Sequence, residues 1–147
     1  MKVNKVMTHD VRLLRPDQTI SEAAILMAEI DSGALPVGDN DRLVGMITDR
    51  DIVIRGLAQG KSPDTKVADI MTKEVLYCFD TDEVDEAARN MGKAKVRRLP
   101  VLNKDKRMVG IVSLGDLARK DDDSATIGQT VTRVSTPGGK HDQTTAE

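Results

Sequence analysis

The sequence predicts a mixed α/β (α+β) fold in which two β-α-β-β-α repeats pack sheet to sheet with pseudo-two-fold symmetry. Three observations lead to this prediction: the chain repeats itself, both copies show the same order of patterned segments, and one copy is too small to be stable alone. The copies cover residues 5–58 and 70–120. Because units of roughly 55 residues are marginal by themselves, burying one sheet against the other is the economical arrangement.

The repeat is found by shifting the sequence by 64 positions. Ten of the thirty-two residues from 6 to 37 are then identical to their counterparts from 70 to 101. After a slip of one residue in a polar turn, the match continues and places Asp51 over Asp116. The slip is consistent with a loop, where insertions are tolerated.

Each copy has the periodicities of the same five elements. A short β-prone stretch is followed by an amphipathic helix, two strands joined by a polar turn, and a last helix. Thr19 and Glu22 have the spacing of a capping box at the start of the first helix, and Asp82 is the expected cap in the second copy. The two strands should form an antiparallel hairpin. The last helix is expected over residues 49–58 and 114–120.

Two segments lack this patterning. Residues 59–69 are mostly polar and contain Pro63, which predicts a linker. In residues 121–147 Asp, Ser, Thr, Gly and Gln predominate without apolar periodicity, which predicts a disordered tail.

Composition argues against several classes of function. The net charge is −2, and Tyr77 and Phe79 are the only aromatic residues, so a nucleic-acid partner is not expected. One cysteine and two histidines exclude an internal disulfide and a zinc site built on thiolates and imidazoles, while carboxylate-only metal sites are left open. No apolar run reaches the ~20 residues of a membrane helix, and the N-terminus does not resemble a signal peptide. A cytoplasmic protein that makes no membrane contact is therefore expected.

One motif occurs at the same place in both copies: a glycine, two apolar residues, a Thr or Ser, two variable residues and an aspartate. It covers residues 45–51 and 110–116. The hydroxyl of Thr48 or Ser113 is predicted at the end of a strand, where it caps the next helix and lies near free N–H groups that favour an anion. The aspartate three residues later can accept two hydrogen bonds from the vicinal hydroxyls of a ribose.

A purely structural interpretation fits the same residues, since a hydroxyl and a carboxylate at this spacing also cap a helix. The duplication favours a function, because the spacing is kept in two copies whose other surface charges have diverged.

The combination of Met-Thr near the start, Leu-Pro-Val before the turn and the repeated motif resembles CBS (cystathionine β-synthase) domains, and the tandem resembles a Bateman module. The resemblance covers residues 5–120. The stretches 33–37 and 48–53 look most similar to small stand-alone bacterial proteins of the hypoxic response type. The family implies that AMP, ADP, ATP, NAD or S-adenosylmethionine binds in clefts between the repeats, that no cofactor is required, and that the chain forms a homodimer through flanking helices.

Carried onto matching positions, the resemblance implies that Asp51 and Asp116 hold the ribose and that Thr48 and Ser113 contact the phosphate. It further implies that backbone near the start of each copy and before each Leu-Pro frames the base. The full set of implied ligand-binding residues is Thr8, Val11, Gly33, Ala34, Leu35, Pro36, Thr48, Asp49, Arg50, Asp51, Thr72, Val75, Arg97, Arg98, Leu99, Pro100, Ser113 and Asp116.

The two copies differ in charge around the motif. The differing pairs, first copy before second, are Asp31/Lys95, Gly33/Arg97, Ala34/Arg98, Asp49/Leu114 and Arg50/Gly115. The second site is therefore predicted to neutralise more phosphate charge, although such a basic cluster also fits ordinary solvated surface. Unequal occupancy of the two sites is expected.

These observations predict a nucleotide-sensing regulatory module and not an enzyme. In this module a ligand shifts the repeats between two states, and an unidentified effector protein or a dimer interface responds to the change. A hydrolase or phosphotransferase is a second hypothesis, but it lacks a nucleophile with an adjacent base. Residues 56–62 only superficially resemble a P-loop, since three residues instead of four separate the glycines. A ligand-free protein whose function is dimerisation is the third hypothesis.

Overall fold

The computed structural model describes residues 1–120 and 124–135. Its helices and strands are α1 (Ile20–Ile30), β1 (Ala34–Asp39), β2 (Arg42–Thr48), α2 (Asp49–Asp51), β3 (Cys78–Phe79), α3 (Val84–Ala94), β4 (Arg98–Leu102), β5 (Met108–Ser113), α4 (Leu114–Lys120) and α5 (Ser124–Ser135). The predicted mixed α+β class is confirmed. Within the described residues, no helix combines the length and the apolar character needed to cross a membrane.

The chain forms two compact units whose boundaries differ from those of the repeats. The first-repeat unit contains Val11–Leu76 together with Lys106–Met108. The second-repeat unit contains Met1–Asp10, Tyr77–Asp105 and the described residues from Val109 onward. The N-terminal segment thus packs with the second copy, and the predicted linker is part of the first-repeat unit. Local sequence patterns do not reveal this exchange, because it depends on pairing between distant strands.

In the first-repeat unit, α1 begins at the predicted capping box. The Glu22 N–H donates to Thr19 Oγ1 at 3.1 Å, and the Thr19 N–H donates to the Glu22 carboxylate at 3.5 Å. Strands β1 and β2 form the predicted antiparallel hairpin, with Leu35 opposite Ile47. The β-prone stretch before α1 contributes only a single bridge, from Leu14 to β1. The buried core is made by Leu14, Ile20, Ala23, Met27, Leu35, Val37, Ile47, Val67, Ile70 and Met71.

Helix α2 continues past its three α-helical residues as a π-helical turn at Ile52–Gly56 and a 3-10 turn at Leu57–Gln59. Gly60 ends it with a φ of 74°, a left-handed conformation that glycine adopts without steric cost. The segment that superficially resembles a P-loop is therefore the end of a helix, as its spacing indicates.

In the second-repeat unit, β3 runs parallel to β4 with Cys78 opposite Val101, and β5 completes a three-stranded sheet. The predicted cap of α3 is wrong. The Asp82 carboxylate accepts the Phe79 N–H at 2.9 Å, so it closes the turn that precedes the helix instead. The core of this unit is made by Val3, Val6, Met7, Cys78, Val84, Ala87, Ala88, Met91, Leu99, Val101, Val112 and Leu117.

Helix α5 corrects the prediction of a disordered tail for residues 124–135; the rest of that tail lies outside the described residues. The helix packs on α3, where Thr130 is buried and its hydroxyl donates to the Ala88 carbonyl at 3.0 Å. A β-carbon built on Gly92 would lie 3.1 Å from Arg133 Cδ. Composition predicts disorder because α5 has few apolar residues. The helix gains its stability from a close tertiary contact with small residues of α3.

Substitutions at two glycines should distinguish the contribution of the contact between α3 and α5 to stability from that of helix propensity. We expect Gly92→Leu to lower the free energy of unfolding by about 1 to 3 kcal/mol, because the larger side chain overpacks the contact between α3 and α5. Gly128→Ala is the control, since a β-carbon there meets no atom within 4 Å. It should stabilise the protein by up to about 1 kcal/mol through helix propensity. Urea unfolding measures both, and equal effects of the two substitutions would contradict the packing of α5 on α3.

Candidate ligand-binding site

The glycine that begins each motif permits a close approach of backbone from another part of the chain. At Gly45, an added β-carbon would lie 2.6 Å from Met71 Sδ and 2.9 Å from the Thr72 carbonyl oxygen. At Gly110, it would lie 2.7 Å from Met7 Sδ and 2.8 Å from the carbonyl oxygen of the next residue, Thr8. The motif therefore contains glycine because any side chain would push a neighbouring backbone away.

These close approaches place two predicted site residues. Thr72 exchanges backbone hydrogen bonds of 2.8 and 2.9 Å with Met46 of β2, and Thr8 exchanges bonds of 2.8 and 3.1 Å with Ile111 of β5. Each Met-Thr sequence thus pairs with the motif of the other copy. Sequence reasoning does not reveal this exchange, because each Met-Thr sequence precedes its own copy in the chain.

The hydroxyl and the carboxylate of each motif bind one another's backbone. The Asp51 N–H donates to Thr48 Oγ1 and the Thr48 N–H donates to Asp51 Oδ2, both at 3.0 Å. Ser113 and Asp116 make the same two bonds, also at 3.0 Å. The capping role considered from the sequence is therefore present in both copies. It fixes the rotamers of these side chains and occupies Oδ2, so Oδ1 is the oxygen left to meet another partner.

Arginines approach the second carboxylate oxygen in both units, which sequence reasoning did not anticipate. Arg119 Nη2 donates to Asp116 Oδ1 at 2.7 Å, and Arg55 Nη1 lies 3.9 Å from Asp51 Oδ1. The signal was present in the sequence as spacings of three and four residues on a helix. The side chains of Arg55 and Arg119 are 46% and 69% exposed, whereas those of the aspartates are 16% exposed at Asp51 and 11% at Asp116. A half-buried carboxylate in the first-repeat unit and a buried one in the second-repeat unit therefore face arginines that are in contact with solvent.

A backbone hydrogen bond ties the start of β1 or β4 to each motif. The Asp49 N–H donates to the Gly33 carbonyl at 2.9 Å, and the Leu114 N–H donates to the Arg97 carbonyl at 2.7 Å. The apolar site residues beside these bonds are buried, and Arg97 and Arg98 are exposed. The buried apolar residues are Ala34, Leu35 and Pro36 of β1 and Leu99 and Pro100 of β4.

Thr8 and Thr72 are hydrogen-bonded to strands of the motifs, but the two other predicted base-framing residues, Val11 and Val75, do not lie in any of the described strands. Val11 and Val75 are half-buried and lie outside the described helices and strands. Val11 belongs to the first-repeat unit, whereas Thr8 belongs to the second-repeat unit. The stretch from Thr8 to Val11 is therefore divided between the two units, and its role in framing the base stays a prediction.

The first-repeat motif contains two charged residues that the second-repeat motif lacks, Asp49 and Arg50. Asp49 and Arg50 are both exposed, and Asp49 Oδ1 accepts the Arg50 N–H at 2.8 Å. The other carboxylate oxygen of Asp49 lies over Gly33, 2.7 Å from the position of a built β-carbon. In the second-repeat motif Leu114 is half-buried against the core, and no charged residue occupies this position.

The single cysteine has the properties of a core residue. Burial, with smaller contributions from Asp82 and Asp80, raises the pKa of the Cys78 thiol to about 12. The thiol is therefore protonated at neutral pH and unsuited to nucleophilic attack. In the part of the chain that the structure describes, no group of three or more His, Cys, Asp or Glu residues is arranged to hold a metal ion.

Two repeats, each with a capped strand-to-helix junction beside a hairpin, define a protein of the tandem-repeat type predicted from the sequence. The family model of the CBS domain matches residues 3–56 and 67–123. The chain belongs to the CBS domain family.

Relatives match most of the chain. CBS domain-containing protein YhcV of Bacillus subtilis is 38% identical over 133 residues, which is 90% of this chain and 94% of the relative. Hypoxic response protein 1 of Mycobacterium tuberculosis is 43% identical over 116 residues, which is 78% of this chain and 80% of the relative.

Two similar solved structures contain adenosine derivatives. The structure of CBSX2 in complex with AMP has a TM-score of 0.70 and 30% identity, covering 80% of this chain and 93% of that chain. The CBS domain pair of MJ0100, in complex with 5′-methylthioadenosine and S-adenosyl-L-methionine, has a TM-score of 0.72 and 30% identity, covering 81% and 94%.

The motif glycine can be tested directly. We expect Gly45→Ala to lower the free energy of unfolding by about 1 to 3 kcal/mol, because the methyl group meets the Thr72 backbone, which cannot swing aside as a flexible side chain would. Gly115→Ala is the matched control, since the nearest atom to its β-carbon is Arg119 Nη1 at 3.6 Å. Chemical denaturation compares them, and wild-type stability of Gly45→Ala would refute the close approach.

Proposed function

We propose that the chain is a non-catalytic regulatory module that binds an adenine nucleotide at the repeated motif. One observation carries the proposal: both motifs hold a carboxylate, half-buried at Asp51 and buried at Asp116, in a rotamer fixed by hydrogen bonds, with Oδ1 directed toward an arginine that is in contact with solvent. For each unit we define the half-site as the motif together with the start of β1 or β4. The first half-site is built on Thr48 and Asp51, and the second on Ser113 and Asp116.

The geometry suits a nucleoside. Asp51 or Asp116 accepts hydrogen bonds from the ribose hydroxyls, which are charge-assisted and worth about 1.5 to 3 kcal/mol each. The base is framed by backbone groups at the strand starts, Ala34–Pro36 and Leu99–Pro100, which follow the residues hydrogen-bonded to each motif. The AMP in CBSX2 and the two adenosine derivatives in the MJ0100 pair support this ligand class.

The capping hydrogen bonds are compatible with this role. Each carboxylate oxygen can accept more than one hydrogen bond, so Asp116 Oδ1 can bind a ribose hydroxyl while Arg119 stays in place or moves into solvent. The exposed Arg119 side chain loses little when it moves, because surface ion pairs contribute about 0 to 1 kcal/mol.

The ligand candidates are AMP, ADP, ATP, NAD and S-adenosylmethionine, and no further cofactor is required. Arg97 and Arg98 give the second half-site two exposed cations near the motif, so it is the better match for a phosphorylated ligand. A hydrolase is the weaker hypothesis, since the Cys78 thiol is held protonated by burial. Ligand binding regulates a partner protein through the different affinities of the ligand for two states of the module.

The carboxylates provide the first test of ligand binding. We expect Asp116→Asn to weaken AMP binding at least tenfold in isothermal titration calorimetry, because the amide loses the charge but retains an oxygen that can accept the Ser113 N–H. Asp51→Asn is the equivalent substitution in the first half-site and should weaken the binding of an adenosine ligand there. Asp105→Asn removes an exposed charge elsewhere in the second-repeat unit and should leave the affinity unchanged. Unchanged affinity in both single variants and in the double variant would refute the site.

Homodimerisation is the second part of the proposal, and it rests on an exposed apolar face of the first-repeat unit. On α1 and the helical turns after α2, Ile25, Val53, Ile54 and Leu57 are 57, 51, 46 and 71% exposed. In the second copy, Ile25, Val53 and Ile54 correspond to Arg89, Ala118 and Arg119, which are polar or small. Ala24 is exposed, but its counterpart Ala88 is completely buried in the unit where α5 packs on α3. The open face fits the same face of a second copy, as isologous dimers require.

A charge placed on this face should separate the copies. We expect Ile25→Glu combined with Leu57→Glu to convert a dimer into a monomer in analytical ultracentrifugation, with little loss of thermal stability because both side chains are largely exposed. Leu76→Glu is the matched control, since Leu76 is 55% exposed on the same unit but outside the face. A dimer that persists in the double variant, or that Leu76→Glu also dissociates, would contradict the assignment.

A further inference from the structure

The two half-sites have the same backbone geometry and opposite charge at one position. The hydrogen bond from Asp49 N–H to the Gly33 carbonyl is 2.9 Å, and its counterpart from Leu114 N–H to the Arg97 carbonyl is 2.7 Å. The residue pairs that meet there therefore occupy equivalent positions. Gly33 with Asp49 carries a charge of −1, and Arg97 with Leu114 carries +1, so the two half-sites differ by two charges at this position.

Gly33 and Asp49 fit one another sterically. A β-carbon at position 33 would lie 2.7 Å from Asp49 Oδ2 and 3.1 Å from its Cγ, which is too close for the observed carboxylate position. The other oxygen, Oδ1, accepts the Arg50 N–H at 2.8 Å, which holds the carboxylate in place. The absent side chain at Gly33 thus makes room for a fixed negative charge beside Thr48.

The second half-site has a large side chain where the first has Gly33, and an apolar residue where the first has the Asp49 carboxylate. Leu114 packs against the apolar core and carries no charge, so the equivalent space beside Ser113 is not occupied by a carboxylate. Arg97 supplies an exposed guanidinium on the backbone position that Gly33 holds in the first half-site, and Arg98 follows it. An anionic group beside Ser113 meets no carboxylate at this position, and Arg97 and Arg98 add two exposed cations to the half-site. One beside Thr48 lies next to the Asp49 carboxylate, which is followed by the exposed Arg50.

We infer that the Gly33–Asp49 pair makes the first half-site selective for adenosine derivatives whose 5′ group is uncharged or cationic, and that Arg97 with Leu114 makes the second half-site selective for 5′-phosphates. This inference rests on the proposed function, since it assigns a ligand class to each half-site. The chain then responds to two different adenosine derivatives and not to two molecules of one nucleotide. Asp49 acts as a specificity determinant that repels phosphate, in addition to its hydrogen bond to Arg50.

Calorimetry with two matched probes tests the inference on the intact chain. AMP and 5′-methylthioadenosine share the adenosine but differ in the charge of the 5′ group. For the wild type we expect AMP to saturate one site per chain, and Asp116→Asn should remove this site. We expect 5′-methylthioadenosine to bind at the other site, which Asp51→Asn should remove. Asp49→Asn keeps the size and an acceptor oxygen of the side chain. It should strengthen AMP binding at the first half-site at least tenfold while changing 5′-methylthioadenosine binding less than threefold.

Two further variants complete the design. Gly33→Arg combined with Asp49→Leu copies the second half-site into the first and should produce a second AMP site of similar affinity. Asp64→Asn removes an exposed carboxylate elsewhere in the same unit and should leave the AMP preference unchanged, which separates a local effect from a change in net charge. The gain in Asp49→Asn should shrink as salt increases, because it is electrostatic.

The outcomes are distinguishable. Wild-type AMP binding at both half-sites with affinities within threefold overturns the inference and leaves the proposed function intact. The inference is also overturned if Asp49→Asn changes the affinities for AMP and for 5′-methylthioadenosine by the same factor. A purely structural role of Asp49 would affect the binding of both probes alike. If neither probe binds the wild type or any variant, the proposed function fails and the inference fails with it.

Discussion

The reciprocal hydrogen bonds between a hydroxyl residue and an aspartate at the end of β2 and of β5 are the constraint on which the rest of the structure depends. They satisfy the free backbone groups where a strand becomes a helix, and they fix the carboxylate rotamer at the same time. One carboxylate oxygen, Oδ1, is left to face an arginine of the helix that begins there. Structure and proposed function therefore use the same two residues, Thr48 and Asp51 or Ser113 and Asp116.

A second constraint adds to the first. Gly45 and Gly110 let the backbone of Thr72 and Thr8 lie directly against β2 and β5, so each half-site receives a segment that comes from the other copy in sequence. Each compact unit therefore contains residues from both copies of the repeat. Neither copy is complete as a contiguous stretch of sequence, which explains why the small repeats occur as a pair.

Much of this fold was predictable, because it depends on local patterns that the two copies share. The hairpin of β1 and β2, the capping box at Thr19 and the paired motifs were read from spacing alone. Helix α5 was not, since its contact through Thr130 with α3 is tertiary and its composition resembles that of a loop. The exchange of Thr8 and Thr72 was missed for the same reason. The residues implied by family resemblance stay predictions, and only their placement is now known.

The asymmetry between the units links the site to function. Charge differs at the half-sites through Asp49 and Arg97, and apolar exposure differs on the helices, where α5 packs on one unit. A ¹⁵N-resolved NMR titration with AMP tests the central claim most directly, because it reports on each backbone amide. We expect the largest shifts at Arg97 to Leu99 and Ser113 to Asp116, with smaller shifts at Thr48 to Asp51. Saturable binding that leaves the amides of both motifs unshifted would contradict it.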